Sequence, residues 1–389
     1  YQSVFPLSLA SMTYFTLCLT IMFLGFMGFR DHKLTGIKIE NLPLYRAMEF
    51  FLIVGGFSAI AFFLPFASFA ISGDSRTKRI VLDAAVQAQT LGRFGLINSF
   101  FSLVANLFIL AMICSFINLV PMNGKRRVKR SLLLMFSSLS YVVYMLAYVG
   151  RDGVVYWVMS FIFCFLLFRP GFISFEHKRK FKRLASIVAI IILTPFLLIS
   201  FDRFKDSPAG IVWSLISYYG QQVNNLNDKF IVNPPITYGR TSFPVFVSFL
   251  ESSGVSIPQE NDFRAYMLRY GAKPWVFGTY ISSFLSNFGQ MGTIIFILFL
   301  SLVARMTLRK SALKGVINFS NLIIFTLIYQ FFYWGVFYFR QYSANYYIIF
   351  MVLLFVLFKL SWCPTCYVCV RKQELRKNTA VQNKLKQKT

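Results

Sequence analysis

Nine stretches of this chain are apolar over lengths that suit a lipid bilayer: roughly 4–28, 48–72, 94–120, 131–150, 154–168, 184–201, 276–304, 317–339 and 342–361. A hydrocarbon layer of about 30 Å takes roughly 20 helical residues to cross, and 154–168 is the shortest fit. An open strand in lipid leaves its amides unpaired, so the pattern predicts helices. Composition agrees: 57% of residues are hydrophobic, only 14% are charged, and 47 Phe cannot all be hidden in one water-soluble core. The expected fold is all-α, a polytopic integral membrane protein with at least nine transmembrane helices. No internal repeat is visible, which weighs against an inverted-repeat transporter.

The net charge of +26 raises the question of nucleic acid. Position answers it, because the basic residues sit in short clusters between apolar runs, as orientation signals do. Most of the 40 Lys and Arg fall in alternate connections, among them Arg30 to Arg46, "KRRVKR" from Lys125 to Arg130, "HKRKFKR" to Arg183, and Arg305 to Lys314. These connections are predicted to be cytoplasmic, together with the C-terminus. The chain then divides into N-terminal transmembrane helices over 1–201, a large extracytoplasmic loop over 202–275, C-terminal helices over 276–361, and a basic cytoplasmic tail over 362–389. Tyr1 lands outside on this scheme, which implies at least one further span upstream. The outside stretch 73–93 is weakly amphipathic and suits the membrane surface; the end of the tail, "RKQELRKNTAVQNKLKQKT", is polar and basic and reads as disordered.

The segment 202–275 is far too long for a connector and mostly polar, so it is the expected functional part. None of the 14 acids falls in the middle of a span, Glu49 coming nearest at an inner helix end. Ion-coupled transporters usually hold a carboxylate near the midplane. His32 and His177 lie in basic connections, and no carboxylate pair has ligand spacing, so neither metal nor cofactor is expected. Cys18, Cys114 and Cys164 read as packing residues; Cys363, Cys366 and Cys369 in "CPTCYVC" lack a fourth ligand at suitable spacing.

Arginine and the aromatic-amide stretches carry more. Arg151 in "YVGRDGVVYW" and Arg340 in "YFRQYSAN" occupy tight outer connections, where each also suits an interfacial anchor. With Arg203, Arg240, Arg264 and Arg269 of the long loop they gather forked donors on the outer face. Such groups bind a diphosphate through paired hydrogen bonds. On an outer leaflet the obvious diphosphate is attached to a lipid. "SYYGQQVNNLND" from Ser217 to Asp228, with Tyr238, Tyr266, Tyr270 and Trp275, mixes rings and amides in a way that fits carbohydrate as well as an aromatic belt. The loop carboxylates Asp202, Asp206, Asp228, Glu251, Glu260 and Asp262 are candidate general bases, though most suit a solvated surface.

At three places the chain resembles the bacterial O-antigen polymerases, the oligosaccharide repeat-unit polymerases. These are "GRDG" at Gly150–Gly153, "SYYGQQVNNLNDKF" followed by "YGRTSF", and "GTYISSFLSNFGQMG" from Gly278 to Gly292. Asn287 stands where the family often has Asp before Phe-Gly. The loop lacks the histidine usual in O-antigen ligases, which remain an alternative, as does a lipid-linked-glycan flippase. The resemblance implies a glycosyltransferase in a bacterial inner membrane, with its large loop periplasmic or extracellular. It would pass a growing glycan from undecaprenyl diphosphate to a fresh lipid-linked repeat unit. Its implied partners are those lipid-linked oligosaccharides, membrane lipids and a chain-length regulator, with no nucleic acid. Arg151, Arg240, Arg264 and Arg340 would hold the departing diphosphate, Asp228 or Glu251 would take the acceptor proton, and Tyr218, Tyr219, Asn224 and Asn227 would orient sugars.

Overall fold

The computed structural model describes residues 5–27, 36–71, 94–120, 127–148, 150, 152–168, 210–257, 260–272, 278–336, 345–361 and 366–369. The described chain is helical apart from three short strands. Four helical runs are long and apolar enough to cross a membrane: Leu9–Phe26, Leu42–Ser68, Val128–Ala147 and Tyr280–Leu308. Gly95–Asn106 and Phe108–Leu119 meet at a 40° bend and make a fifth if counted as one span. Asp152–Phe168, Phe319–Tyr333 and Tyr346–Leu360 are apolar but shorter. This is a membrane protein. The stretches predicted over 184–201 and 73–93 lie outside the described residues.

Contacts divide the chain into two units, each assembled from three stretches. One unit takes 30–203, 310–322 and 355–389. It holds β1 (Gly36–Ile39), α2 (Leu42–Ile71), α3 (Phe94–Asn106), α4 (Phe108–Leu119), α5 (Val128–Ser137), α6 (Ser140–Ala147) and α7 (Asp152–Phe168). Small residues let these apolar helices approach closely, the usual packing device where lipid removes the hydrophobic drive. A Cβ on Gly56 would stand 2.7 Å from Ser137, and one on Gly153 would stand 2.4 Å from Met145. Phe108 stacks on Tyr141 at 4.3 Å, and the buried Trp157 donates to Ser138 at 3.0 Å. Glu49, buried near the start of α2, accepts from Asn118 and from Arg130, so its charge is paired inside this unit.

The strands were not anticipated. β1 pairs in parallel with β2 (Val316–Asn318) and antiparallel with β3 (Cys366–Cys369), in the order β2-β1-β3. The argument that excludes open strands holds for the middle of lipid, whereas β1 lies in a connection, β2 at the start of an apolar run and β3 in the tail beyond the last one, where amides are free to pair across the sheet. The sheet also aims a carboxylate. Glu40, directly after β1, accepts from the Ser320 amide at 3.3 Å and from its hydroxyl at 2.5 Å, at the first turn of the helix Phe319–Tyr333. An anion there satisfies amides that no helical carbonyl can reach.

The other unit takes 1–29, 204–309 and 323–354. It contains α1 (Leu9–Phe26), α8 (Ile211–Val232), α9 (Pro244–Ser252), α10 (Glu260–Arg269) and most of α11 (Tyr280–Lys314). The rest of it comes from α12 (Phe319–Tyr333) and α13 (Asn345–Leu360). Helix α1 runs against α11: Ser301 donates to the Ile21 carbonyl at 2.7 Å, and a Cβ on Gly25 would stand 2.5 Å from Ser301 Oγ. The Tyr280 hydroxyl reaches Met22 Sδ at 3.2 Å, and Gly335 leaves room for the Tyr280 ring.

Replacing Glu40 by Ala should cost about 1–2 kcal/mol, the scale of a lost helix cap. The expected readout is a lower melting temperature of the purified protein in detergent, with Glu40→Gln falling between the variant and wild type.

Candidate functional site

Helix α11 is not continuous. At Gly289 its backbone turns to φ 67°, ψ −175°, a region that side chains avoid and glycine adopts freely. A Cβ at Gly289 would also stand 3.0 Å from Ile236. The sequence therefore breaks a membrane-crossing helix at one residue and lays another segment against the break. Irregular backbone at membrane depth is tolerated where protein covers it.

The covering segment is the turn after α8. Asn233 ends that helix in the left-handed region, at φ 46°. Tyr238 and Gly239 follow with φ 47° and 96°. One side chain of α11 holds the turn in place. Asn287 Oδ1 accepts from Thr241 at 2.8 Å and from Thr237 at 3.1 Å. Its Nδ2 donates to Ser242 Oγ and to the Ser283 carbonyl, both at 2.6 Å. The Thr237 amide adds a bond to the Ser286 carbonyl at 3.0 Å. Asn287, Thr237 and Ser242 are all buried, and Asn287 meets both its donor and its acceptor needs inside the protein.

Beside this clamp lies a groove of about 440 Å³ lined by Ile236, Tyr238, Asn287, Phe288, Ile295, Phe296 and Phe299, with Gly292 in its wall. All but Asn287 and the Tyr238 hydroxyl are apolar. The turn that supplies Ile236 and Tyr238 also supplies Arg240. Its guanidinium pairs with Glu251 of α9 and donates to the Ile257 carbonyl at 2.9 Å. A basic group and an apolar slot thus share one short turn.

Residues 225–229 near the end of α8 are buried, and four of the five are polar. Asn227 accepts from the Ser8 amide at 3.0 Å and the Ser11 hydroxyl at 2.6 Å, and donates to the carbonyls of Phe5 and Pro6. Asp228 accepts from the Phe5 amide at 3.2 Å. Together they fix the segment that leads into α1. Asn225 accepts from Ser282 at 2.8 Å, while its Nδ2 is buried with no hydrogen-bond partner among the described residues.

Lys229 is buried beside them, with its ammonium 5.8 Å from the centre of the Phe263 ring. Loss of water pushes its pKa down to about 8. The ring face returns part of that cost. Val232, Phe263, Met267 and Ala272 form the small apolar cluster around it.

Of the residues singled out from the sequence, the structure brings Arg240 and Glu251 together, as partners of each other. Asp228 and Asn227 hold the start of α1. Asn224 is half-buried in α8, Tyr218 and Tyr219 lie two turns earlier in that helix, and Arg264 is exposed on α10. Arg151 and Arg340 lie outside the described residues. Sequence reasoning passed over Thr237, Ser242, Asn225, Lys229 and the break at Gly289. Two signals were present: a glycine between Phe288 and Gln290 inside a long apolar run, and a lone cation between Asp228 and Phe230.

Fold and site together define a helical membrane protein with a broken spanning helix and an apolar groove next to a clamped polar turn. Comparisons with protein-family models, with curated proteins and with solved structures give no match to this chain.

Replacing Asn287 by Ala removes four side-chain bonds from a buried site, at a cost of about 2–4 kcal/mol. Asn287→Asp should lose a comparable amount at neutral pH, because a carboxylate would face the Ser283 carbonyl in place of a donor. Thermal unfolding in detergent checks both. Lys229 gives a pH test: its folded pKa lies below the free value of 10.5, so the unfolded chain holds more protons between about 8 and 10.5. Its penalty is complete below pH 8 and fades as pH rises through that window. Lys229→Met should therefore melt higher than wild type at pH 7, and the gap should narrow above pH 10.

Proposed function

We infer that this protein is a membrane-embedded glycosyltransferase that polymerises oligosaccharide repeat units carried on a lipid diphosphate, at the outer face of a bacterial inner membrane. The observation that carries the reading is the turn 236–242. It presents an apolar slot and a guanidinium a few residues apart, which matches a substrate that is half hydrocarbon and half anion. Three places carry the resemblance to the repeat-unit polymerases, and two of their stretches, "YGRTSF" and "GTYISSFLSNFGQMG", are joined by the bonds of Asn287 to Thr241 and Ser242.

In this reading the carrier chain lies along Phe288, Phe296 and Phe299, and Arg240 exchanges Glu251 for the diphosphate. The freed carboxylate then takes the proton of the acceptor hydroxyl. The hydroxyl oxygen attacks the anomeric carbon of the donor glycan, and the bond from that carbon to the diphosphate oxygen breaks. The leaving diphosphate stays on its lipid, held by the guanidinium as its charge develops. Arg151, Arg264 and Arg340 are further candidates for the same anion. Asp228 is the weaker choice of base, because it already accepts the Phe5 amide. Asn224, Asn227, Tyr218 and Tyr219 remain the proposed sugar contacts, of which Asn227 is the most committed to holding its own chain.

Purified protein incubated with a defined prenyl-diphosphate oligosaccharide should yield a ladder of products spaced by one repeat. Glu251→Gln should lower turnover about 100-fold, the usual worth of a general base, with donor binding kept; Arg240→Ala should weaken donor binding as well. Absence of any ladder from wild-type protein with a range of repeat units, or transfer to a lipid A core acceptor alone, would rule the polymerase reading out.

A further inference from the structure

Helix α9, in the segment read from sequence as a polar outer loop, has an uncovered apolar side. Phe246, Phe249 and Leu250 stand at positions one turn apart, and Phe249 is 72% exposed. Only Val247 of this helix is buried, and it rests against the turn, 3.5 Å from where a Cβ on Gly239 would lie. One side is thus tied to the protein while another, wholly apolar, faces away from it.

We propose that α9 is a membrane-surface helix, with Phe246, Phe249 and Leu250 seated among the lipids of the same membrane that α11 crosses. Three observations select lipid as the occupant. The first is position. Phe243, the residue before α9, places its ring within 5.9 Å of Phe296 and 6.2 Å of Phe284 and Phe288. Those three rings belong to the membrane-crossing run Tyr280–Leu308, so α9 starts from the side of a spanning helix.

The second is continuity. Helix α11 exposes Ile295, Leu298, Phe299 and Leu302 over the same stretch. Such an apolar band on a spanning helix is solvated by lipid, and Phe243, which leads into α9, packs on the same helix at Phe288 and Phe296. The third is charge. The one ionisable residue of α9 is Glu251, and it is paired with Arg240, so little net charge opposes entry into the interface. An amphipathic helix of this kind lies in the membrane plane with its apolar side about 5–10 Å into the headgroup boundary. Pro244 at the first helical position fixes where it begins.

This inference stands apart from the transferase reading, and its test needs no substrate. The full chain carrying p-benzoylphenylalanine in place of Phe249, and separately in place of Phe246, is reconstituted into vesicles of phosphatidylethanolamine and phosphatidylglycerol and irradiated. Ser248, exposed on the flank of the same helix, is the comparison position. The expected result is phospholipid adducts at Phe246 and Phe249 at least threefold above those at Ser248, read by intact-mass spectrometry. Adducts no more frequent than at Ser248, or crosslinked protein dimers at Phe249 in their place, would overturn the proposal.

Discussion

The amide of Asn287 is the interaction on which the described site depends. A helix broken at a positive-φ glycine leaves backbone groups that lipid cannot satisfy, and at membrane depth each such group costs several kcal/mol. The turn 237–242 covers the break only while it is held there, and Asn287 holds it with two bonds accepted and one donated, its other donor bond returning to the Ser283 carbonyl of its own helix. Position and polarity are therefore coupled. Were the side chain apolar, Thr237, Thr241 and Ser242 would each lose one bond together, and the groove beside Phe288 would lose the tie that holds the wall provided by Ile236 and Tyr238.

A second set of polar groups does for α8 what Asn287 does for the turn. Asn227 and Asp228 fasten the segment before α1, and Asn225 reaches Ser282 on α11. Helix α8 is too polar to span a membrane, yet its residues 225–229 are buried. Asn225, Asn227 and Asp228 exchange water for hydrogen bonds made within their own unit. That commitment has a functional side. A side chain already engaged in holding the fold is less free to handle a substrate, which is why Glu251, whose partner is itself a candidate ligand-binding cation, is preferred here over Asp228.

How much of this was legible in the letters follows from what each feature depends on. Runs of apolar residues fix helices in lipid almost without context, so α1, α2 and α11 stand close to where composition placed them. The three-stranded sheet was not legible, because its strands are three or four residues long and their pairing joins Gly36 to Val316 and to Cys369, far apart in the chain. The bend between α3 and α4 at Leu107 is equally silent, since no glycine or proline marks it. At the site, "SYYGQQVNNLND" was readable as important but not as structural. Asn227 serving four groups of the chain around Phe5 and Ser11 is a tertiary fact that composition does not carry. Phe246 and Phe249 illustrate the opposite error, in which a segment polar on average hides a short helix with an apolar side.

In the function proposed for this protein, a prenyl chain and its diphosphate are received by the groove along Phe288, Phe296 and Phe299 and by Arg240 on the clamped turn. The most direct measurement is an electron-microscopy structure of the purified protein in a lipid nanodisc with a prenyl-diphosphate oligosaccharide bound. The account predicts density for an apolar chain between Ile236 and Phe299, with the diphosphate against Arg240 and Glu251 displaced from it. A ligand bound elsewhere, with the pair between Arg240 and Glu251 intact and the groove empty, would contradict it.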